Sequence, residues 1–109
     1  MQWLHYLSYF GGALFFTNAI PHFVSGMMGR AFQSPFANPP GRGLSSSQAN
    51  IVWGSINLVI GYLLTFQVGH FNVRGLDILP FGIGVFGAGM LISKWFGQFH
   101  GGNLPLAEK

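Results

Sequence analysis

Four histidines and two carboxylates are the side chains with which this 109-residue sequence could do chemistry. They are His5, His22, His70 and His100, with Asp77 and Glu108. Cysteine is absent, so neither a disulfide framework nor a Cys-based metal site can form. His5 and His22 fall in one apolar run. At about 1.5 Å rise per helical residue they stand about 25 Å apart, too far to share an ion. An up-down arrangement sends His5 and His70 to one side and His22 and His100 to the other, with His70 and His100 at helix ends. Asp77 opens the third apolar run, where a carboxylate caps the backbone and complements the dipole. There is no pair of acids, no Ser/His/Asp arrangement at usable spacing and no cluster of metal ligands. A self-contained enzyme is not expected, and no metal or cofactor is. The cofactor alternatives are a haem held by two histidines across helices, or a chlorophyll-type pigment with His22 as axial ligand. Asn18, one turn before His22, is bulky beside a macrocycle.

The elements that must position these groups follow from composition. Half of the residues are hydrophobic and only 6% are charged, against about 25% charged in an average soluble domain. Mean hydropathy is +0.42. Lipid is the solvent such a sequence fits. Its 17 glycines would weaken helices in water, but between membrane helices they let backbones approach. The net charge of +3 is spread along the sequence, so no nucleic-acid face is expected.

Three apolar runs are each close to the roughly 20 residues that cross a hydrocarbon core. The expectation is an all-α integral membrane protein forming a single membrane domain over 1–109. Three transmembrane helices are expected at about 3–29, 48–69 and 77–97, with a structured loop over 30–47 and a loose tail over 101–109. A cleaved signal is not expected, because no Lys or Arg precedes the first run. Arg30, Arg42, Lys94 and Lys109 fall on one side of this topology and Arg74 alone on the other. The positive-inside rule then puts the N-terminus outside and the C-terminus in the cytoplasm, in a bacterial inner membrane. Trp3, Tyr6, Tyr9, Trp53 and Trp95 lie near helix ends, where aromatic rings anchor at the headgroups.

Small and polar residues recur on one face of each of the first two runs: Gly11, Asn18, His22, Ser25 and Gly29, then Asn50, Gly54, Asn57, Gly61 and Thr65. The opposite faces include Tyr9, Phe16 and Ile20, and Val52, Ile56 and Val59. These stripes read as packing seams, with a lined polar path as the alternative. In the third run Gly84, Gly87 and Ala88 lie towards one side and Gly82, Gly89 and Ser93 towards another, which suits two neighbours. Pro21 predicts a kink in the first run.

The 30–47 loop is stiffened by three prolines, and Phe32 and Phe36 can anchor it in the interface. One of Ser45, Ser46 and Ser47 is expected to cap the second helix. Together with Arg30 and Arg42, these serines form a candidate site for the phosphate of an anionic phospholipid. The functional expectation is a small accessory or scaffolding subunit, assembled by Gly-rich helix contacts into a homo-oligomer or a larger membrane complex. Its partners would be the lipid bilayer and other membrane helices. The alternatives are an oligomeric channel or carrier for a small solute, or a pigment- or haem-binding subunit.

Overall fold

The computed structural model describes residues 2–100 and 102–105. It is 65% helical, with α1 (Gln2–Met27), α2 (Ser47–Tyr62) and α3 (Ile78–Gly97). The last turn of the second helix widens into a π segment, Leu63–Gln67. Between α1 and α2 a short hairpin pairs β1 (Phe32–Gln33) with β2 (Leu44–Ser45), Phe32 opposite Ser45 and Gln33 opposite Leu44. An all-α reading misses this hairpin, because two-residue strands leave no alternation to detect. Glu108 and Lys109 lie outside the described residues. So does the rest of the tail except 102–105, where Gly102 donates to the Phe99 carbonyl and the backbone turns back on the end of α3.

The helix ends have local causes. Gly29 has φ +72°, and the Arg30 N–H reaches back to the Ser25 carbonyl while the Gly29 N–H reaches Gly26. This pair of bonds closes a helix with a left-handed residue at its exit, a conformation that glycine adopts at little cost. α1 therefore stops at Met27, short of 29. Ser46 is the residue that caps α2, its hydroxyl accepting from the Ala49 N–H at 3.1 Å. Asp77 departs from expectation: its side chain makes no cap bond and instead accepts from the Asn72 N–H at 2.9 Å. The carboxylate closes the turn before α3, whose Pro80 sits in the first turn, where a missing N–H is tolerated. α1 runs through Pro21. That ring cannot donate to the Thr17 carbonyl, and the Thr17 hydroxyl is also buried without a partner.

α1 is the central element. It packs along α2 on one side and α3 on the other, while α2 and α3 make almost no contact with each other. The α1–α2 contact is close enough to require glycine. A Cβ on Gly54 would lie 2.9 Å from the Phe23 backbone nitrogen, and one on Gly61 would lie 3.1 Å from the Gly12 carbonyl oxygen. On the other side a Cβ on Gly84 would lie 2.7 Å from the Ala13 Cβ.

Burial is inverted relative to a protein folded in water. The most enclosed large side chains are Tyr9, His22, Asn50, Asn57 and Thr65, whereas Leu7, Ile20, Val59, Ile83, Phe86 and Leu91 are exposed. Two helices are long and apolar enough to cross a membrane: Ser47–Gln67, at mean hydropathy 1.5, and Ile78–Gly97, at 1.4. α1 is longer, at 26 residues, and less apolar, because Asn18, His22 and Ser25 interrupt it.

Candidate functional site

The strongest concentration of polar groups lies where the C-terminal end of α1 and the N-terminal end of α2 meet the hairpin. Asn50, fully buried in the first turns of α2, is its hub. Its amide nitrogen lies within 3.3 Å of four oxygens: the Phe32, Ser45 and Ser46 carbonyls and the Ser45 hydroxyl. Turning the amide over would set its oxygen against those four acceptors. The side-chain oxygen therefore faces His22, whose Nδ1 lies 2.7 Å away. An amide oxygen can only accept, so Nδ1 carries the ring proton and Nε2 keeps a lone pair.

His22 is 2% exposed and is ringed by aromatic edges. The Phe32, Trp53 and Phe96 rings stand at 5.4, 6.4 and 5.5 Å, each near perpendicular to the imidazole. Phe36 extends this set by packing on Trp53 at 5.4 Å. One turn along α1, the Asn18 amide donates to the Asn57 oxygen at 3.2 Å, and Asn57 donates back to the Trp53 carbonyl at 2.8 Å. The polar residues of α1 and α2 are thus bonded to each other across the interface.

These groups line a small, partly open cavity of about 130 Å³, with Asn18, His22, Ser34, Trp53, Phe96 and neighbouring loop residues as its walls. The Trp53 indole N–H is buried without a hydrogen-bond partner. Neither His22 Nε2 nor the Asn18 oxygen has a partner among the described residues. No charged side chain lines the cavity. The arrangement can hold a neutral group that both donates and accepts a hydrogen bond. Among the described residues no three His, Asp or Glu side chains converge as a metal site. A tetrapyrrole does not fit at His22 either, because the aromatic edges occupy the space that a macrocycle would need.

Comparison with protein-family models, with curated proteins and with solved structures gives no match. Function must be read from the geometry of this chain.

That geometry redistributes the residues picked out by spacing. On α2 and the π segment that follows it, Asn50, Gly54, Asn57, Gly61 and Thr65 are all buried. On α1 the buried set is Tyr9, Gly12, Ala13, Thr17, Ala19 and His22. Gly11 and Asn18 are half-buried, and Gly29 is exposed with open space around it. Gly29 is a helix terminator and not a packing residue. Tyr9, expected on the outward face and as an interface anchor, is 1% exposed, with its ring 5.1 Å from Phe71. α1 has a neighbour on each side, so its buried arc is wider than one stripe. On α3, Gly84 and Ala88 are buried against α1, while Gly82, Gly87 and Gly89 have nothing within 4 Å of an added Cβ.

The residues expected to bind a lipid phosphate do not converge. Ser45 turns inward, its hydroxyl 2.8 Å from Ser34 and accepting from Asn50, and the Ser46 hydroxyl is used by the helix cap. Ser47 is half-buried, and Arg30 is exposed beyond the end of α1. The Arg42 guanidinium lies 5.0 Å from the Phe99 ring centre, while its carbonyl is 2.9 Å from His100 Nε2. Arg42 thus joins the loop to the end of α3, beside a Trp95 indole that donates to the Gly41 carbonyl. Spacing had also missed Trp53, Phe96 and Ser34 as parts of one site. They come from three separate segments, and no local pattern in the sequence connects them.

Proposed function

We propose that the chain is a three-span membrane protein whose α3 docks onto another transmembrane helix, making it an accessory or scaffolding subunit of a homo-oligomer or a larger membrane complex. The observation that carries this reading is the lopsided packing of α3. Only 11% of its most apolar window is buried, and its outer side bears a groove floored by Gly82 between Leu79, Ile83 and Phe86. Such a groove lets a second helix approach to backbone distance, which is how helices associate where lipid removes the hydrophobic driving force. The alternative of a lined path is less well supported, because the amides and the imidazole of the α1–α2 interface are bonded to one another. The bacterial inner membrane is the setting that the sequence favours. α1 is counted as a span because its outward face is apolar while its polar residues turn to α2.

Two measurements test this reading. A photoreactive amino acid at Phe86 should cross-link to another membrane chain, and Gly82→Leu, whose first side-chain carbon meets nothing within 4 Å, should abolish the adduct. A self-adduct would identify a homo-oligomer. Lipid-only adducts at Phe86, matching those from Val59 on α2, would defeat the proposal. For topology, reporters placed in the loop and after the tail should both be cytoplasmic, and one before α1 external. Opposite sides for loop and tail would mean that the chain does not cross three times.

A further inference from the structure

We infer that the cavity beside His22 is the head-group end of a binding site for a lipid-soluble molecule with a small, neutral, hydroxyl-bearing head and a hydrocarbon tail. The inference rests on the membrane setting proposed above, but not on the docking of α3. The head-group end is defined by unspent hydrogen-bonding capacity in a small, partly open space. The buried Trp53 N–H needs an acceptor. His22 Nε2, its tautomer set by Asn50 at 2.7 Å, is left to accept from a donor. A single hydroxyl has the chemistry that both call for, since its oxygen accepts while its proton is donated. A charged head is disfavoured, because no cation or anion lines the cavity and burying an unpaired charge is costly. At about 130 Å³ the space suits an alcohol or a single phenolic ring.

The tail end is defined by what lies one helical turn further along. A second, apolar groove of about 330 Å³ is lined by Leu14, Asn18, Asn57, Ala88, Leu91 and other residues. Asn18 lines both spaces. Each helix steps from the cavity into the groove at helical spacing: His22 to Asn18 on α1, Trp53 to Asn57 on α2, and Phe96 through Ile92 to Ala88 on α3. The step on α3 covers about 12 Å of helix rise, the reach of a medium-length alkyl chain. The groove exists because α2 and α3 scarcely touch each other, so the face of α1 between them is left uncovered. A polar, aromatic-walled cup that continues into an apolar trough fits a head joined to a tail.

The full chain in nanodiscs, labelled with ¹⁵N at tryptophan indoles and histidine rings, tests this directly. Decanol and a decyl quinol are the probes, with decane and decyl phosphate as controls. The Trp53 indole signal should move saturably with the hydroxyl probes while those of Trp3 and Trp95 stay still, and His22 Nε2 should shift in parallel. Response to one hydroxyl probe alone would assign the head as alcohol or quinol. His22→Phe keeps a ring in the aromatic box and should weaken binding roughly tenfold. Where that variant loses its fold, Trp53→Phe decides: the His22 shift should then need a comparably higher probe concentration. No saturable shift, an equal response to decane or decyl phosphate, or undiminished binding in the variants would overturn the inference and leave the cavity a water pocket.

Discussion

Replacing Gly54 by leucine is expected to destabilise the helix bundle by about 3 kcal/mol or more, a cost at the upper end of core overpacking. Even the first carbon of a side chain there would meet the Phe23 backbone nitrogen at 2.9 Å and its Cβ at 3.0 Å. Backbone cannot swing away as a ring can, so α1 and α2 must separate along the whole contact. Gly61→Leu should be somewhat milder, because its nearest neighbour is the Phe16 ring at 2.9 Å, which can rotate, with the Gly12 carbonyl behind it at 3.1 Å. Val59→Leu changes an exposed surface and should stay within about 0.5 kcal/mol. Denaturant titration of the three variants in one detergent gives the comparison. Equal stability for all three would mean that the α1–α2 interface is not closely packed.

The second large effect belongs to Asn50→Leu, for which we expect a loss of about 2–5 kcal/mol. Leucine is similar in size, so the change is chemical. The His22 Nδ1 proton would lose its acceptor at 2.7 Å, and the Phe32 and Ser45 carbonyls would lose a donor. A buried polar group left unmatched costs more than the bond contributed. Hydrogen exchange should locate the damage: amides of residues 32–46 should lose protection, while those of α3 keep theirs. Asn50→Asp should not rescue the fold, since it retains an acceptor for His22 but sets carboxylate oxygen against carbonyl oxygens. Unchanged loop protection in Asn50→Leu would show that the hairpin is held by something other than this amide.

Spacing makes some of this legible and hides the rest, for physical reasons. α2 leans on one neighbour, so its buried positions form a single line at steps of three and four, and Asn50, Gly54, Asn57, Gly61 and Thr65 stand on it. α1 is flanked on both sides, so Gly12, Ala13 and Ala19 are as buried as His22 although they lie off its polar stripe. Tyr9 was misread because an aromatic near a helix end resembles an anchor. Its burial depends on Gly69 and Phe71, which follow α2 by a route that no periodicity reveals. Of the candidate site, spacing shows His22, Asn18, Asn50 and Asn57. The remaining walls of its cavity come from residues 34, 35, 41, 53 and 96, brought together by the hairpin and by the return of α3.

The central position of α1 also bears on how the protein is made. α1 is synthesised before α2 and α3, carrying Asn18 and His22, whose partners Asn57 and Asn50 do not yet exist at that point. Alone in hydrocarbon it would hold these groups unmatched, and it lacks the long apolar window that α2 with its π segment and α3 each have. α2 brings both missing amides, so on the proposed three-span reading the two helices are best released into the bilayer together, as one hairpin. α3 shares none of those bonds and could enter afterwards on hydropathy alone. The order of synthesis therefore matches the order of need: a first helix that depends on the second, and a third that arrives at a finished surface.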